Sequence, residues 1–368
     1  MRTIPIYPVQ VLTVQATSLC NLDCNYCYLP NRKINKTLNP ELIPHIFRNI
    51  EQSGIFSDYV YWSWHAGEPL AAGIDFYRNS TRLIRQNKPE NLQLGIGMQT
   101  NGTLITNDFA HFFKQNGYKV GISIDGPAEI HNHNRVFRNK KGSHDACMRG
   151  IGMLKKQGIP FHCICVLSDY SLKFPEEIYR FFQKLGPTGV AFSAEEVEGI
   201  HHKSSLDNAE SIGQFEAFFS KVFLLRRQEG EPFQIREWNK FGRDDDTEII
   251  NGTTVPFSHL SIDTDGFYST FSPELLSIKN HPSFSNFIFG HITTDPVIEC
   301  IQNPGFQKAY NEIQLGVSLC KNSCHYFGTC GGGMVSNKLF ENGSFNSSKT
   351  LACLYMERKL FEICRKGA

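Results

Sequence analysis

The feature that most constrains this chain is a run of three cysteines, Cys20, Cys24 and Cys27. They are spaced C-x3-C-x2-C and follow directly on the apolar, β-prone stretch Val11-Leu12-Thr13-Val14-Gln15-Ala16. Three thiolates within eight residues converge only if something holds them together. A cubane iron–sulfur cluster with three protein ligands would do so, and would leave one iron open to a small chelating ligand. The competing readings are a zinc knuckle, which usually closes with a fourth nearby Cys or His, and a disulfide knot. Twelve cysteines in a chain without an export signal argue against disulfides and for metal binding.

The cysteines are unevenly placed. Cys320, Cys324, Cys330 and Cys353 lie near the end of the chain, and the triple glycine Gly331-Gly332-Gly333 follows the third of them. These four thiolates could enclose a second cubane or a structural zinc, and the spacing alone does not decide between them. Cys147, Cys163 and Cys165 sit inside apolar patterns and are expected to be inert packing thiols. Cys300 is a possible spare ligand, and Cys364 a packing residue.

With 368 residues, the chain can bury at least one large core and is expected to divide into a large and a small domain. Lys+Arg 37 against Asp+Glu 36 implies no polyanion-binding surface, so no nucleic-acid partner is expected. No stretch approaches the ~18 apolar residues of a membrane span, and the N-terminus lacks a signal-type apolar run. The expectation is a cytoplasmic protein with no membrane partner.

After the cysteine loop, strand and helix patterns alternate. Helices are expected over Pro40–Ser53, Phe76–Gln86, Asn107 or Asp108 to Asn116, His144–Gln157, Pro175–Lys184 and Ser211–Arg227. Strands are expected over Val11–Ala16, Tyr59–Trp64, Leu92–Gln99, Lys119–Ile124, Phe161–Leu167 and Val190–Phe192. Six β-α units imply a parallel sheet covered by helices, with near-continuous apolar strands. Ligands of such a sheet sit at the C-terminal strand ends, where the cysteine loop lies. From about Glu231 the rhythm changes. Arg243-Asp244-Asp245-Asp246 reads as a solvated turn, and Ser258–Phe271 as a hairpin across Asp265-Gly266. A loop-rich, cysteine-bearing tail and a helix from about Leu351 to Arg365 follow.

The three-cysteine loop is the signature of radical S-adenosylmethionine (SAM) enzymes, in which SAM chelates the open iron. His65-Ala66-Gly67-Glu68-Pro69, after strand two, resembles their Gly-Gly-Glu-Pro segment, which holds the SAM amino group. Ala66 replaces the usual first glycine. Gln99-Thr100-Asn101-Gly102 and Ser123-Ile124-Asp125-Gly126-Pro127 match segments that line the SAM and substrate cavity. The resemblance implies that Ser123 contacts SAM and that Arg135 meets its carboxylate, a pairing that suits the guanidinium fork. Gly67, Glu68, Thr100, Asn101, Ser123, Asp125 and Arg135 are therefore the expected SAM-site residues. The neighbouring His131 and His133 are read as loop residues.

The run Cys324-His325-Tyr326-Phe327-Gly328-Thr329-Cys330-Gly331-Gly332 looks like the auxiliary-cluster extension of radical SAM/SPASM peptide maturases. The implied fold is α/β. Residues 1–230 would form a partial (β/α)6 TIM-like barrel, and residues 231–368 a bridging hairpin with a SPASM/twitch-like auxiliary domain. The implied cofactors are SAM, a [4Fe-4S] cluster on Cys20, Cys24 and Cys27, and one auxiliary [4Fe-4S] cluster on Cys320, Cys324, Cys330 and Cys353. The segment Phe271-Ser272-Pro273-Glu274-Leu275 and the reduced cysteine set most resemble the GrrM/OscB-type cyclophane-forming maturases of glycine-rich ribosomal peptides. That resemblance implies hydrogen abstraction from a peptide β-carbon, addition of the carbon radical to an aromatic ring, and loss of one proton and one electron. The auxiliary cluster would take the electron, and Asp265 and Glu274 are the candidate bases. The partners would be a precursor peptide and an external one-electron donor such as flavodoxin or ferredoxin. The precursor's leader is expected to pair with an exposed strand edge, the bridging hairpin being the candidate, since the chain leaves no room for an N-terminal peptide-binding domain. The rival readings are a formylglycine- or thioether-forming maturase and a non-catalytic iron–sulfur or zinc protein.

Overall fold

The structure is a computed structural model that describes residues 4–241 and 249–367. The expected turn at Arg243–Asp246 lies outside the described residues. Six parallel strands, β1 (Val9–Val14), β2 (Phe56–Trp64), β3 (Gln93–Thr100), β4 (Lys119–Ser123), β5 (Phe161–Leu167) and β6 (Gly189–Ala194), follow one another in sequence order across the sheet. This order has no reversal point, which selects the barrel-like winding over the doubly wound sheet. A short β7 (Gln234–Ile235) extends the sheet beyond β6. At the other edge, β8 (His259–Ile262) runs parallel to β1 and turns back into β9 (Phe267–Thr270). Segments from after residue 230 therefore continue both edges of the barrel sheet. A separate ribbon joins β10 (Lys279–His281) to β11 (Ser285–Asn286), and β12 (Gly290–His291) pairs with β9. Both edges of the bridging hairpin thus carry partners, and a leader strand would have to displace β12 or add elsewhere.

The helices between strands are α1 (Ile43–Gln52), α2 (Ile74–Asn87), α3 (Asn107–Asn116), α4 (Ala128–Asn134), α5 (His144–Lys156), α6 (Pro175–Leu185), α7 (Ser211–Gln228) and α8 (Arg236–Phe241). Helix α1 buries Ile43, Ile46, Phe47 and Ile50 against the sheet, and Phe47 stacks on Trp62 with ring centroids 5.5 Å apart. Each such side chain contributes about 1.5–3 kcal/mol on burial. The cap of α3 is Thr106, whose hydroxyl accepts from the Phe109 N–H. His131 and His133 are on α4 and not in a loop. His131 is buried, with Nδ1 accepting from the Asp125 N–H and Nε2 bonded to the Ser143 hydroxyl.

The strands alternate, contrary to the expectation of near-continuous apolar runs. Val60, Trp62 and Trp64 of β2 are fully buried, whereas Tyr59, Tyr61, Ser63 and His65 lie on the other face, as the period of two requires. On that face Tyr61 lies over Gly97. A Cβ there would stand 2.1 Å from the Tyr61 hydroxyl oxygen, so only glycine admits the ring. One face of the barrel is a dry core, and the inner one is polar and aromatic.

The tail is more helical than the sequence suggests. A 20-residue helix, α9 (Pro304–Ser323), starts from Asn303, whose side chain caps the Gly305 and Phe306 N–H groups. Then come α10 (Phe327–Cys330), α11 (Val335–Asn342), α12 (Leu351–Cys353), a π-helical turn (Leu354–Lys359) and α13 (Leu360–Gly367). The expected terminal helix is therefore interrupted by the π turn, where Met356 Sδ accepts from the Ala194 N–H.

Candidate functional site

The cysteine loop leaves the C-terminal end of β1 and is tied down on every side. Asp23 N–H donates to Val136 O at 2.8 Å and Asn25 N–H to Asn134 O at 3.0 Å, which stitches the loop to the segment after α4. Asn101 Nδ2 donates to Asn21 Oδ1 at 2.9 Å, and Asn21 Nδ2 to the Thr103 hydroxyl at 2.8 Å. Arg138 donates to the carbonyls of Cys20 and Arg32. Cys20, Cys24 and Cys27 are all half-buried and unpaired. Burial raises the Cys20 thiol to about 12, and the nearby Glu68, Cys24 and Cys27 push in the same direction. Cys24 is raised to about 11, chiefly by burial, with Arg135 opposing. The half-buried thiols of Cys20 and Cys24, raised as they are, are suited to a cationic centre that takes them as thiolates.

Gly67 fits against this loop by close approach. A Cβ at that position would lie 2.5 Å from Thr17 O and 2.9 Å from Leu19 O, and its φ of +67° is in the left-handed region. Glu68 follows, buried, with its own N–H donating to Leu19 O. Its carboxylate accepts from Leu70 N–H (3.0 Å), Thr100 Oγ1 (2.5 Å) and Asn101 N–H (2.8 Å), all neutral donors. Burial therefore raises its pKa to about 7. A cation placed beside this carboxylate would lower its pKa again.

Asp125 and Arg135 form a buried ion pair through Nε at 3.0 Å. Asp125 also accepts from Tyr26 of the cysteine loop and from Val166 N–H. The guanidinium lies 5.3 Å from the Tyr26 ring centroid. Because the pair uses Nε, the two terminal nitrogens of the fork can serve a second acceptor. Ser123 accepts from Gln99 Nε2 at 2.9 Å. Thus Gly67, Glu68, Thr100, Asn101, Asp125 and Arg135 are assembled around the cysteine loop, and Ser123 sits at the adjoining strand end.

A cavity of about 240 Å³ opens beside the loop, lined by Gln15, Tyr28, His65, Ala66, Ser261, Asp263, Pro273 and Ser277, among others. Asp265 is at its rim, half-exposed and ion-paired with Lys36. Glu274 is elsewhere. It begins a 3-10 turn after β9, where Ser272 donates to its carboxylate. Burial raises Glu274, Glu196 and Glu198, and the negative charge of Glu274 further raises Glu196 and Glu198. Glu196 and Glu198 come from the loop after β6, and Asn337 of α11 donates to Glu196 at 3.1 Å. Tyr28 links this group to the cysteine loop. It is raised by burial and then by Glu274, Glu198, Cys27 and Glu196. Neighbouring carboxyls hinder one another's ionisation. Tyr26, Tyr28, Glu196 and Glu198 were not singled out from the sequence. The only signal for the tyrosines is their place within the cysteine loop.

At the rear, Cys320 lies in the last turn of α9, Cys330 ends α10 and Cys353 ends α12. The Cys353 thiol is raised to about 11, mainly by burial, with Arg358 opposing and Cys330 and Cys324 adding. Cys330 is raised by burial and lowered by the N–H groups of Gly332 and Gly333. Cys324, Cys330 and Cys353 therefore share one region. Cys320 joins it through Gly332, whose carbonyl is 3.6 Å from its sulfur. Cys300 and Cys364 are buried apart from these motifs in the hydrophobic core. Among the described residues, no three His, Cys, Asp or Glu close on a single-ion site. A cubane asks for something different, since each thiolate takes its own iron.

Residues 14–199 match the model of the Radical SAM superfamily. An uncharacterized protein of Synechocystis sp. is 40% identical over 367 residues, covering 97% of this chain and 91% of its own. The cysteine-type anaerobic sulfatase-maturating enzyme of Clostridium novyi is 34% identical over 186 residues, covering 48% of each protein. The chain thus spans about half the length of the sulfatase-maturating relatives it matches. The fold is shared with anSMEcpe with bound AdoMet (TM-score 0.78, 22% identity, covering 98% and 97% of the two chains). It is also shared with Streptococcus suis SuiB bound to precursor peptide SuiA (TM-score 0.66, 14% identity, 95% and 76%).

Proposed function

This chain belongs to the radical SAM superfamily, and we propose that within it the protein is a peptide maturase that forms aromatic-ring-to-Cβ crosslinks in a ribosomally made, glycine-rich precursor. In this reading Cys20, Cys24 and Cys27 hold the SAM-chelating [4Fe-4S] cluster, and Cys320, Cys324, Cys330 and Cys353 one auxiliary cluster. When bound, SAM and its cluster supply the 5′-deoxyadenosyl radical that takes a hydrogen from the peptide. Glu68 accepts from the SAM ammonium, whose arrival offsets the cost of its buried charge. The terminal nitrogens of Arg135 pair with the SAM carboxylate while Asp125 fixes the guanidinium from the other side. Gly67, Thr100, Asn101 and Ser123 shape the surrounding backbone and polar wall. An external one-electron donor of the flavodoxin or ferredoxin type and the precursor peptide are the proposed partners. The relatives named for sulfatase maturation and the neighbour crystallised with a precursor peptide are consistent with a peptide substrate.

The observation that carries the crosslinking reading is the carboxyl group of Glu274. It is half-buried, accepts from Ser272, and lies near enough to Tyr28 of the cysteine loop to raise that residue's pKa. Ring rearomatisation releases a proton, and a carboxylate with a raised pKa is a competent acceptor near neutrality. Asp265, already paired with Lys36, is the weaker candidate. Co-expression with a small glycine-rich precursor peptide tests the proposal by mass spectrometry. A loss of two hydrogens per crosslink, with fragmentation blocked between the joined residues, is expected. An aldehyde reactive toward hydrazines, as formylglycine would give, would replace this reading with the sulfatase-type one. A zinc or electron-carrier protein would leave the peptide unchanged.

A further inference from the structure

Lys338 is an unusual residue for its position. It lies on α11, only 4% exposed, and among the described residues it has no carboxylate partner. Its Nζ donates to the sulfur of Cys320 at 3.5 Å. Two glycines make room for it. A Cβ at Gly316 would stand 3.1 Å from Nζ, and one at Gly333 would touch Cε at 3.9 Å. A buried ammonium without a partner is costly. The Cys320 sulfur is the group its Nζ reaches.

A second cation meets the same group of cysteines from the other side. Arg358, on the π-helical turn, directs a terminal nitrogen to Cys324 Sγ at 3.9 Å. Cys353 and Cys324 both raise its pKa against the opposing effect of burial. The Gly332 and Gly333 N–H groups point at Cys330. All four rear sulfurs therefore face a cation or a backbone donor. No lysine or arginine donates to the front sulfurs of Cys20, Cys24 or Cys27 among the described residues. Arg138 and Arg32 donate to carbonyls there, Cys20 O and Cys24 O, and the Arg135 guanidinium, held by Asp125, acts on Cys24 through its charge.

Resting on the auxiliary-cluster reading above, we propose that Lys338 and Arg358 set the reduction potential of the rear cluster and hold it above that of the front one. Positive charge and hydrogen bonds at the sulfurs stabilise the form with one more electron, so they raise the potential of an iron–sulfur centre. Lys338 is the stronger of the two because it is buried and its charge is little screened. Both are positioning residues that act through the thiolates.

The test uses full-length protein in which Cys20, Cys24 and Cys27 are all replaced by Ala, reconstituted anaerobically so that only the rear site can carry a cluster. Iron and zinc are counted first, and the potential is then read by electron paramagnetic resonance during redox titration. Lys338→Met keeps the length and removes the charge, and Lys338→Arg restores a charge. The expected result is a tenfold or larger weakening of reduction in Lys338→Met, which is about 59 mV for a one-electron couple. A smaller shift in the same direction is expected for Arg358→Gln, with Lys338→Arg near the parent. Unchanged potentials in Lys338→Met and Arg358→Gln, with iron still bound, overturn the tuning role and leave the auxiliary cluster standing. A parent that binds zinc or no iron overturns both.

Discussion

The two cysteine sites differ in how they are built and in the charge around them. The front site is one contiguous loop at the end of β1, pinned by short hydrogen bonds to neighbouring strand ends. Glu68 and the other thiols raise the Cys20 pKa, while Arg135 and Arg32 act in the opposite direction on Cys24. The rear site is assembled from the ends of separate helices, and its sulfurs are met by Lys338, Arg358 and glycine N–H groups. The same ligand type is thus placed in different settings, because cations donate to the sulfurs themselves at the rear and to carbonyls or Asp125 at the front. Donors at the sulfurs favour added electrons in the rear centre. The glutamates Glu196, Glu198 and Glu274 form one group, which raises the pKa of Tyr28 in the cysteine loop and takes a hydrogen bond from Asn337, the neighbour of Lys338 on α11.

Removing each site in turn gives the largest effect. Replacing Cys20, Cys24 and Cys27 by Ala is expected to lower the iron content by about four per chain and to abolish SAM cleavage. Replacing Cys324 and Cys353 by Ala removes a similar amount of iron and leaves 5′-deoxyadenosine formation intact, while crosslinking stops. Iron analysis and chromatography of the nucleoside read both outcomes. Equal loss of SAM cleavage from either end would erase the division of labour.

Glu274→Gln comes next. It keeps the size and the bond from Ser272, and it removes the proton acceptor. Crosslink formation should fall by about 10²–10⁴-fold, while abortive 5′-deoxyadenosine continues. Asp265→Asn should change crosslinking little. If the two substitutions exchange these effects, the base lies at the hairpin tip.

Glu68→Gln has the smallest expected effect, and it is a thermodynamic one. The folded-state pKa of about 7 lies above the ordinary 4.5, so the folded form holds a proton that the unfolded chain releases. Its contribution to stability is present below pH ~4.5 and is lost as the pH rises toward ~7, by at most about 3 kcal/mol. In the absence of SAM, urea unfolding at pH 5 and pH 8 should show a smaller fall for Glu68→Gln than for the parent. Identical slopes would mean that Glu68 carries no buried charge.

The front site was readable from the sequence because its determinants are local. Cys20, Cys24 and Cys27 are neighbours in the chain, and the alternation of strand and helix already places them at the ligand-bearing strand ends. Gly67, Glu68, Asp125 and Arg135 were identified by resemblance, and they assemble around the loop. What tertiary contact alone determines was not readable. Glu196 and Glu198 look like an ordinary polar loop until Glu274 is folded against them. Lys338 looks like a surface lysine of an amphipathic helix until Gly316 and Gly333 bury it. Helix α9 was missed as well. Its start signal, Asn303-Pro304, was present, but the cysteine-rich tail read as loops.

The most direct measurement is of SAM cleavage itself. The full-length protein, reconstituted anaerobically with iron and sulfide, is incubated with SAM and a one-electron reductant, and methionine and 5′-deoxyadenosine are quantified. Equal amounts of the two products, absent without reductant and absent when Cys24 is Ala, are predicted. Cluster-loaded protein that leaves SAM intact would contradict the radical chemistry assigned to the front loop.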